Sequence, residues 1–155
     1  MEYKILKGRE KAEVLEPVCE RFGLDKEIFG LLELFQLSKG RIYCVGETCS
    51  GWLGMERVAT AGLLFARLGG TVKPSSNIIQ IFGKLATKNF LEVDKDVARK
   101  FVSGEDLDVD ASKYNSVTEG YVIVKYQNYP LGVGLLKNGQ VKNMLPKGRR
   151  IGIKL

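Results

Sequence analysis

In Arg9–Phe22, REKAEVLEPVCERF, the residues Ala12, Leu15, Val18, Cys19 and Phe22 recur at helical spacing. The spacing predicts a first helix, and Pro17 predicts a kink or a break in it. LDKEIFGLL can add a helical turn. ELFQLSKGRIYCVG then alternates as two short strands around a three-residue loop, Ser38-Lys39-Gly40, with glycine where a positive φ is needed. MERVATAGLLFARL fits strand or helix by pattern alone. The Gly69-Gly70 turn and Thr71-Val72 that follow favour strand.

In the second half, KPSSNIIQIFGK predicts a short helix that Ser75 or Ser76 can cap and Gly83 can end. NFLEV predicts a strand. DKDVARKFVSGEDL predicts a capped amphipathic helix that turns Val97, Phe101 and Val102 inward. From Gly120 the pattern is β throughout: GYVIVKY and YPLGVGLL flank Gln127-Asn128, and the second run meets QVKNML across Asn138-Gly139, a strong signal for a two-residue hairpin. That turn sets a register. Leu136 faces Val141 and Gly134 faces Asn143 on one side of the ladder, with Leu135 and Lys142 on the other. Short, mostly antiparallel strands with one or two helices predict a small barrel. The fold class is α+β, with a small α/β domain over residues 1–68 and the barrel over 69–155.

Charge changes this picture because it is unevenly placed. Residues 1–119 hold 17 Lys/Arg and all 18 Asp/Glu, whereas residues 120–155 hold 7 Lys/Arg and no acid. The whole excess of +6 is therefore local. A basic segment can simply keep a protein soluble, or it can serve as an anion-binding site. The hairpin favours the second use, because it fixes Lys137 and Lys142 and leads into Lys147, Arg149, Arg150 and Lys154 as a mounted patch rather than a loose tail. The acidic GEDLDVD, with Glu105, Asp106, Asp108 and Asp110, lacks calcium-loop spacing and is expected to be a solvated loop edge outside that patch.

The chain contains no histidine, which excludes Ser-His-Asp and Cys-His catalysis and His-ligated zinc. Cys19, Cys44 and Cys49 form no CxxC pair, and their odd number suits a reducing compartment. No uncharged run exceeds the 11 residues from Tyr126 to Leu136, and the opening MEYKILKGREKAEVLEP has no apolar centre. A cytoplasmic location without membrane association is expected, and neither a cofactor nor a metal.

TVKPSSNIIQIFGK, EGYVIVKYQNYPLGVGL and VKNMLPKGRR resemble the C-terminal RNA-binding domain of Sun-family RNA cytosine-5 methyltransferases, a variant of the PUA fold. RIYCVGE and YPLGVGL are similar to the Nip-type ribosome-biogenesis factors, which pair an α/β N-terminal domain with a C-terminal PUA domain. The resemblance implies a PUA-like barrel that binds structured RNA through a basic face, with contacts at Lys142, Lys147, Arg149 and Arg150. With the residues the hairpin and helix start bring beside them, the RNA-binding candidates are Lys137, Lys142, Asn143, Lys147, Arg149, Arg150, Lys154, Gly132, Gly134 and Ser75. Gly132 and Gly134 match the family's glycine positions. They can admit another backbone, or only permit tight barrel curvature. Ser75, Ser76 and Asn77 can offer free amides to a phosphate, or simply cap.

ETCSG places Cys49 in a run similar to the catalytic cysteine motif of the same enzymes, but 155 residues leave no room for their cofactor-binding domain and no Pro-Cys partner is present. Cys49 is expected to be a small residue in a partly buried turn, and Cys19 to be core. GVGLLKNG runs into a hairpin instead of a helix and lacks a dinucleotide loop's third glycine. Trp52 is expected in core or inter-domain packing, while Tyr126 and Tyr129 fit either packing or stacking on unpaired bases. The expected function is a non-catalytic RNA-binding accessory of RNA modification or ribosome assembly. Its partners would be rRNA or tRNA, with an RNA methyltransferase or ribosome-assembly factor beside them. Two other classes remain: a protein-interaction adaptor for such an enzyme or factor, with little RNA affinity of its own, and a small enzyme using Cys49, which lacks a general base.

Overall fold

The computed structural model describes residues 3–53, 55 and 61–151. The chain forms two compact units, one of Met1–Glu20 with Leu24–Ser75, the other of Arg21–Gly23 with Ser76–Leu155.

The first unit is built on five strands in sequential order: β1 (Lys4–Leu6), β2 (Leu32–Ser38), β3 (Arg41–Gly46), β4 (Leu63–Leu68) and β5 (Val72–Pro74). Every neighbouring pair is antiparallel. The helix α1 (Arg9–Phe22) follows β1 and buries Val14, Leu15, Val18 and Cys19. Pro17 lies inside α1 and does not divide it. Pro17 and Glu13, four residues before it, are both exposed, so the carbonyl that proline leaves unbonded can turn to water. Ser38 stays in β2 opposite Arg41, so the β2–β3 loop has two residues, Lys39 and Gly40, rather than three. Gly40 has the expected positive φ of 75°. On one sheet face Phe35, Val45 and Leu53 form a cluster backed by Tyr3, Ile5, Leu37 and Tyr43. The strand expected across MERVATAGLLFARL is present as β4, while residues 54 and 56–60 of that stretch lie outside the described residues.

The division between units falls at Ser75/Ser76, whereas the sequence reading placed a boundary at 68/69. The Gly69-Gly70 turn is a hairpin within the first unit: β5 pairs with β4 through Val72–Leu68, Lys73–Arg67 and Pro74–Ala66.

The second unit opens with α2 (Ser76–Phe82) and a 3-10 turn at Gly83–Leu85, followed by β6 (Phe90–Glu92), α3 (Lys95–Ser103), β7 (Leu107–Asp108), β8 (Gly120–Tyr126), β9 (Tyr129–Lys137) and β10 (Gln140–Asn143). The strands order as β6-β8-β9-β10-β7 in a curled half-barrel, parallel at β6–β8 and antiparallel elsewhere. The expected α+β class with a barrel-like second half is observed. Asp94 caps α3 by accepting from the Val97 amide at 2.9 Å, and Gly104 ends it in the left-handed region at φ 100°. Both hairpins turn on two residues of positive φ, Gln127-Asn128 and Asn138-Gly139, whose twist matches that of the strands they join. One sheet face packs Leu91, Val122, Val124, Leu136 and Val141 against Ala98 and Phe101 of α3 and against Leu145. Val97 and Val102, expected inward, are half-buried at the margin, and Ala98 takes the central position.

The acidic stretch departs from expectation. Leu107 is buried opposite Val141, and Asp108 lies opposite Gln140, so part of the presumed loop is strand β7 on the edge beside β10. A single apolar residue among acids has no period to betray a strand, yet filling the core with Leu107 outweighs the loop character of its neighbours.

Candidate nucleic-acid interface

The β9–β10 ladder has the expected register: Lys137–Gln140, Leu136–Val141, Leu135–Lys142 and Gly134–Asn143. Because side chains alternate along a strand, Val141 and Asn143 point into the core with Leu136, while Gln140, Lys142 and Lys137 point outward. Lys137 and Lys142 are exposed.

Beyond β10 the chain is held at both ends. The Met144 amide donates to the Val133 carbonyl at 3.1 Å and Leu145 is buried in the core, while the Ile151 amide donates to the Val102 carbonyl at 2.8 Å. Between these anchors Lys147–Arg149 form a 3-10 turn, closed by the Arg149 amide on the Pro146 carbonyl at 2.8 Å. Lys147, Arg149 and Arg150 are exposed. Arg149 Nη1 donates to Gln80 Oε1 at 2.6 Å, and Gln80 Nε2 in turn donates to the Leu131 carbonyl at 2.9 Å. Arg150 lies the other way, over Gly104, with Nε donating to the Leu145 carbonyl at 3.2 Å. Its charge there complements the C-terminal end of α3. Among the described residues none of Lys137, Lys142, Lys147, Arg149 and Arg150 forms an ion pair. Lys154 lies outside the described residues.

Four of the sequence candidates are placed elsewhere. Asn143 is only 6% exposed. Its Nδ2 donates to the carbonyls of Phe101 at 2.7 Å and Glu105 at 2.9 Å, and its Oδ1 accepts from the Leu145 amide at 2.9 Å. It ties the end of α3 to the end of β10. Gly132 and Gly134 face the core, where an added Cβ would come within 2.6 Å of Leu145 Cδ2 and 2.2 Å of Val141 Cγ1 respectively. Their missing side chains make room for the core rather than for a ligand. Gly134→Ala is accordingly expected to lose about 1–3 kcal/mol in a denaturant titration through overpacking. Ser75 belongs to the first unit, its amide donating to the Phe65 carbonyl at 2.9 Å and its hydroxyl to the Leu64 carbonyl.

The acids border the basic face instead of standing apart from it. Asp106 Oδ1 accepts from the Asn143 amide at 2.8 Å. Since Leu107 points inward, Asp108 points outward beside Gln140, on the side that carries Lys142. One basic residue, Lys125, is withdrawn from the surface: it is 1% exposed, with Nζ 4.1 Å from the centre of the Phe90 ring and 3.5 Å from the Lys84 carbonyl. Burial lowers its pKa, and nearby Glu92 opposes the shift.

Two contributors escaped the sequence reading. Gln80 and Lys84 stand four residues apart on the α2 side and both reach β9, Gln80 at Leu131 and Lys84 over the Tyr129 ring at 5.8 Å. No helical stripe joins them in the sequence, because α2 ends at Phe82 and Lys84 lies in the 3-10 turn that follows. Tyr129 is 65% exposed, whereas Tyr126 packs half-buried against the core. Trp52, expected to be packed, is 66% exposed in the first unit. Leu53 takes the inward position in its place.

Among the described residues no group of histidine, cysteine and acidic side chains can hold a metal ion, and no helix is long and apolar enough to cross a membrane. Cys49 lies exposed in a 3-10 turn, Glu47–Trp52, with the Thr48 hydroxyl 3.9 Å from its sulfur. Burial pushes the Cys44 thiol up to about 11. At pH 7.5 only about one Cys44 in 3000 is then a thiolate, so maleimide is expected to label Cys49 in the folded protein and Cys44 only after denaturation.

Residues 88–151 match the family model described as the Methyltransferase RsmF PUA domain. A search of curated proteins gives no match. The matched segment runs from just before β6 to Ile151 and includes all five exposed cations of the face, while α2, with Gln80 and Lys84, precedes it. The PUA expectation raised by the sequence is met over this segment.

Proposed function

We propose that this chain, which carries a PUA domain of the RsmF type in its second unit, is a non-catalytic RNA-binding protein. It would engage structured RNA, ribosomal or transfer, as an accessory of RNA modification or ribosome assembly in the cytoplasm. The observation that carries this reading is the set of exposed cations without ion-pair partners, mounted on a hairpin and on an anchored turn inside the matched segment. Cations held this way meet phosphates without first breaking an ion pair. The acidic edge at Asp106 and Asp108 limits the face on one side, so helix shape and a few exposed bases, more than extended sequence, would set selectivity.

The test is direct titration of the whole protein with a folded hairpin and with an unstructured strand of equal length over a salt series. The reading expects tighter binding of the hairpin and a linear fall of log affinity with log salt. Equal affinity for both RNAs, or none for either, defeats it.

A second reading, the protein-interaction adaptor, draws on the exposed apolar residues Leu31, Trp52 and Met55 of the first unit. It requires an RNA methyltransferase or assembly factor to bind with an affinity that Trp52→Ser weakens, while RNA binding is absent.

A further inference from the structure

The basic face does not end at Arg149. The Arg149 guanidinium is held by Gln80, Gln80 is held by the Leu131 carbonyl, and four residues beyond Gln80 the Lys84 ammonium sits 5.8 Å from the centre of the Tyr129 ring. Tyr129 starts β9, two residues before Leu131, so cation, amide, cation and aromatic ring follow one another along the seam between the α2 side and β9. Tyr129 leaves the tight turn at Gln127-Asn128, whose Asn128 amide is fixed by Glu92 Oε1 at 2.9 Å. That carboxylate is thus engaged by the turn's own backbone. The ring is 65% exposed although Tyr126, at the other end of the same turn, packs inward. A large ring held outward on a rigid hairpin, with a cation over it, is the arrangement that receives a base.

Resting on the RNA-binding reading above, we infer that Tyr129 stacks on an unpaired base next to the duplex held by Lys142, Lys147 and Arg149, with Lys84 bound to the phosphate beside that base. The ligand is therefore a junction between paired and single-stranded RNA, and Tyr129 distinguishes it from a blunt duplex. Stacking accepts any base, so this is selectivity for structure and not for sequence.

The experiment uses two hairpins with the same stem, both closed by a non-nucleotide linker so that the loop offers no unpaired base, one blunt and one carrying two unpaired nucleotides, the first of them 2-aminopurine, in versions that place them at either end of the strand. Wild type is expected to prefer an overhang version by about 10-fold and to quench the 2-aminopurine, as a stacked base requires. Tyr129→Ala is expected to remove both the preference and the quench while binding the blunt hairpin as wild type does. Tyr129→Phe keeps the ring and should keep both, which separates stacking from the hydroxyl's hydrogen bonding and from a folding defect. If wild type binds the blunt hairpin with a salt-dependent affinity but is indifferent to the overhang, or if Tyr129→Ala weakens both hairpins equally, the inference falls and the RNA-binding reading stands. If wild type binds neither hairpin, both fall.

Discussion

Asn143→Ala is expected to destabilise the second unit by about 3 kcal/mol, enough to lower its melting temperature by roughly 10–20 °C. The alanine removes three side-chain hydrogen bonds, to the carbonyls of Phe101 and Glu105 and from the Leu145 amide, at a position that is 6% exposed. The Phe101 carbonyl keeps the Gly104 amide at 3.0 Å, so the main loss falls on the Leu145 amide, which is buried in the core. Asn143→Asp should not rescue, because a carboxylate oxygen would face the two carbonyls to which the amide now donates. Lys142→Ala, one residue away but exposed, should stay within about 0.5 kcal/mol of wild type. Calorimetric melting of the three variants reads this directly. An unshifted Asn143→Ala melt would mean that the amide is not tied into the fold and would return Asn143 to the list of surface contacts.

The same residue shows how far the sequence was legible. Asn138-Gly139 admits a two-residue turn in which both φ angles are positive, and once that turn is granted every pairing from Lys137–Gln140 to Gly134–Asn143 follows by counting. Counting also puts Asn143 on the side of Leu136 and Val141, so its burial was implied by the register even though its chemistry suggested a surface contact. Gly132 and Gly134 follow the same parity into the core. Other features left no trace. The two residues of β7 are too few for any period, and the Ser75/Ser76 division depends on the pairing of β5 with β4, a contact within the sheet. Trp52 was expected inside because large apolar side chains usually are, but only one of two adjacent residues can face inward at the end of its turn, and Leu53 does. The α2 side contributes Gln80 and Lys84 through contacts with β9 that lie 51 and 45 residues away along the chain, beyond the reach of local pattern.

The triple variant Lys142→Ala/Lys147→Ala/Arg149→Ala is expected to flatten the salt dependence of RNA binding by nearly three units in slope, since each lost phosphate contact removes roughly 0.9. Between about 50 mM and 200 mM salt one such contact accounts for a roughly 3- to 4-fold loss of affinity, so the advantage of wild type over the variant should shrink by roughly 40-fold across that range. Arg150 is left in place because it packs over Gly104 and bonds the Leu145 carbonyl, and its removal would mix folding with binding. Lys4→Ala/Lys7→Ala, in the first unit, provides the comparison: Lys4 is ion-paired with Glu10 and neither residue belongs to the matched segment. That pair should leave the slope nearly unchanged. Asp108→Lys should do the opposite of the triple variant, because it replaces an acid beside Gln140 with a cation on the side of the sheet that carries Lys142. Tighter binding and a steeper slope are the expected results, where a residue outside the face would have little effect. A slope flattened as much per charge by Lys4→Ala/Lys7→Ala as by the triple variant would show that total charge, and not the face built on β10 and the Lys147–Arg149 turn, drives binding.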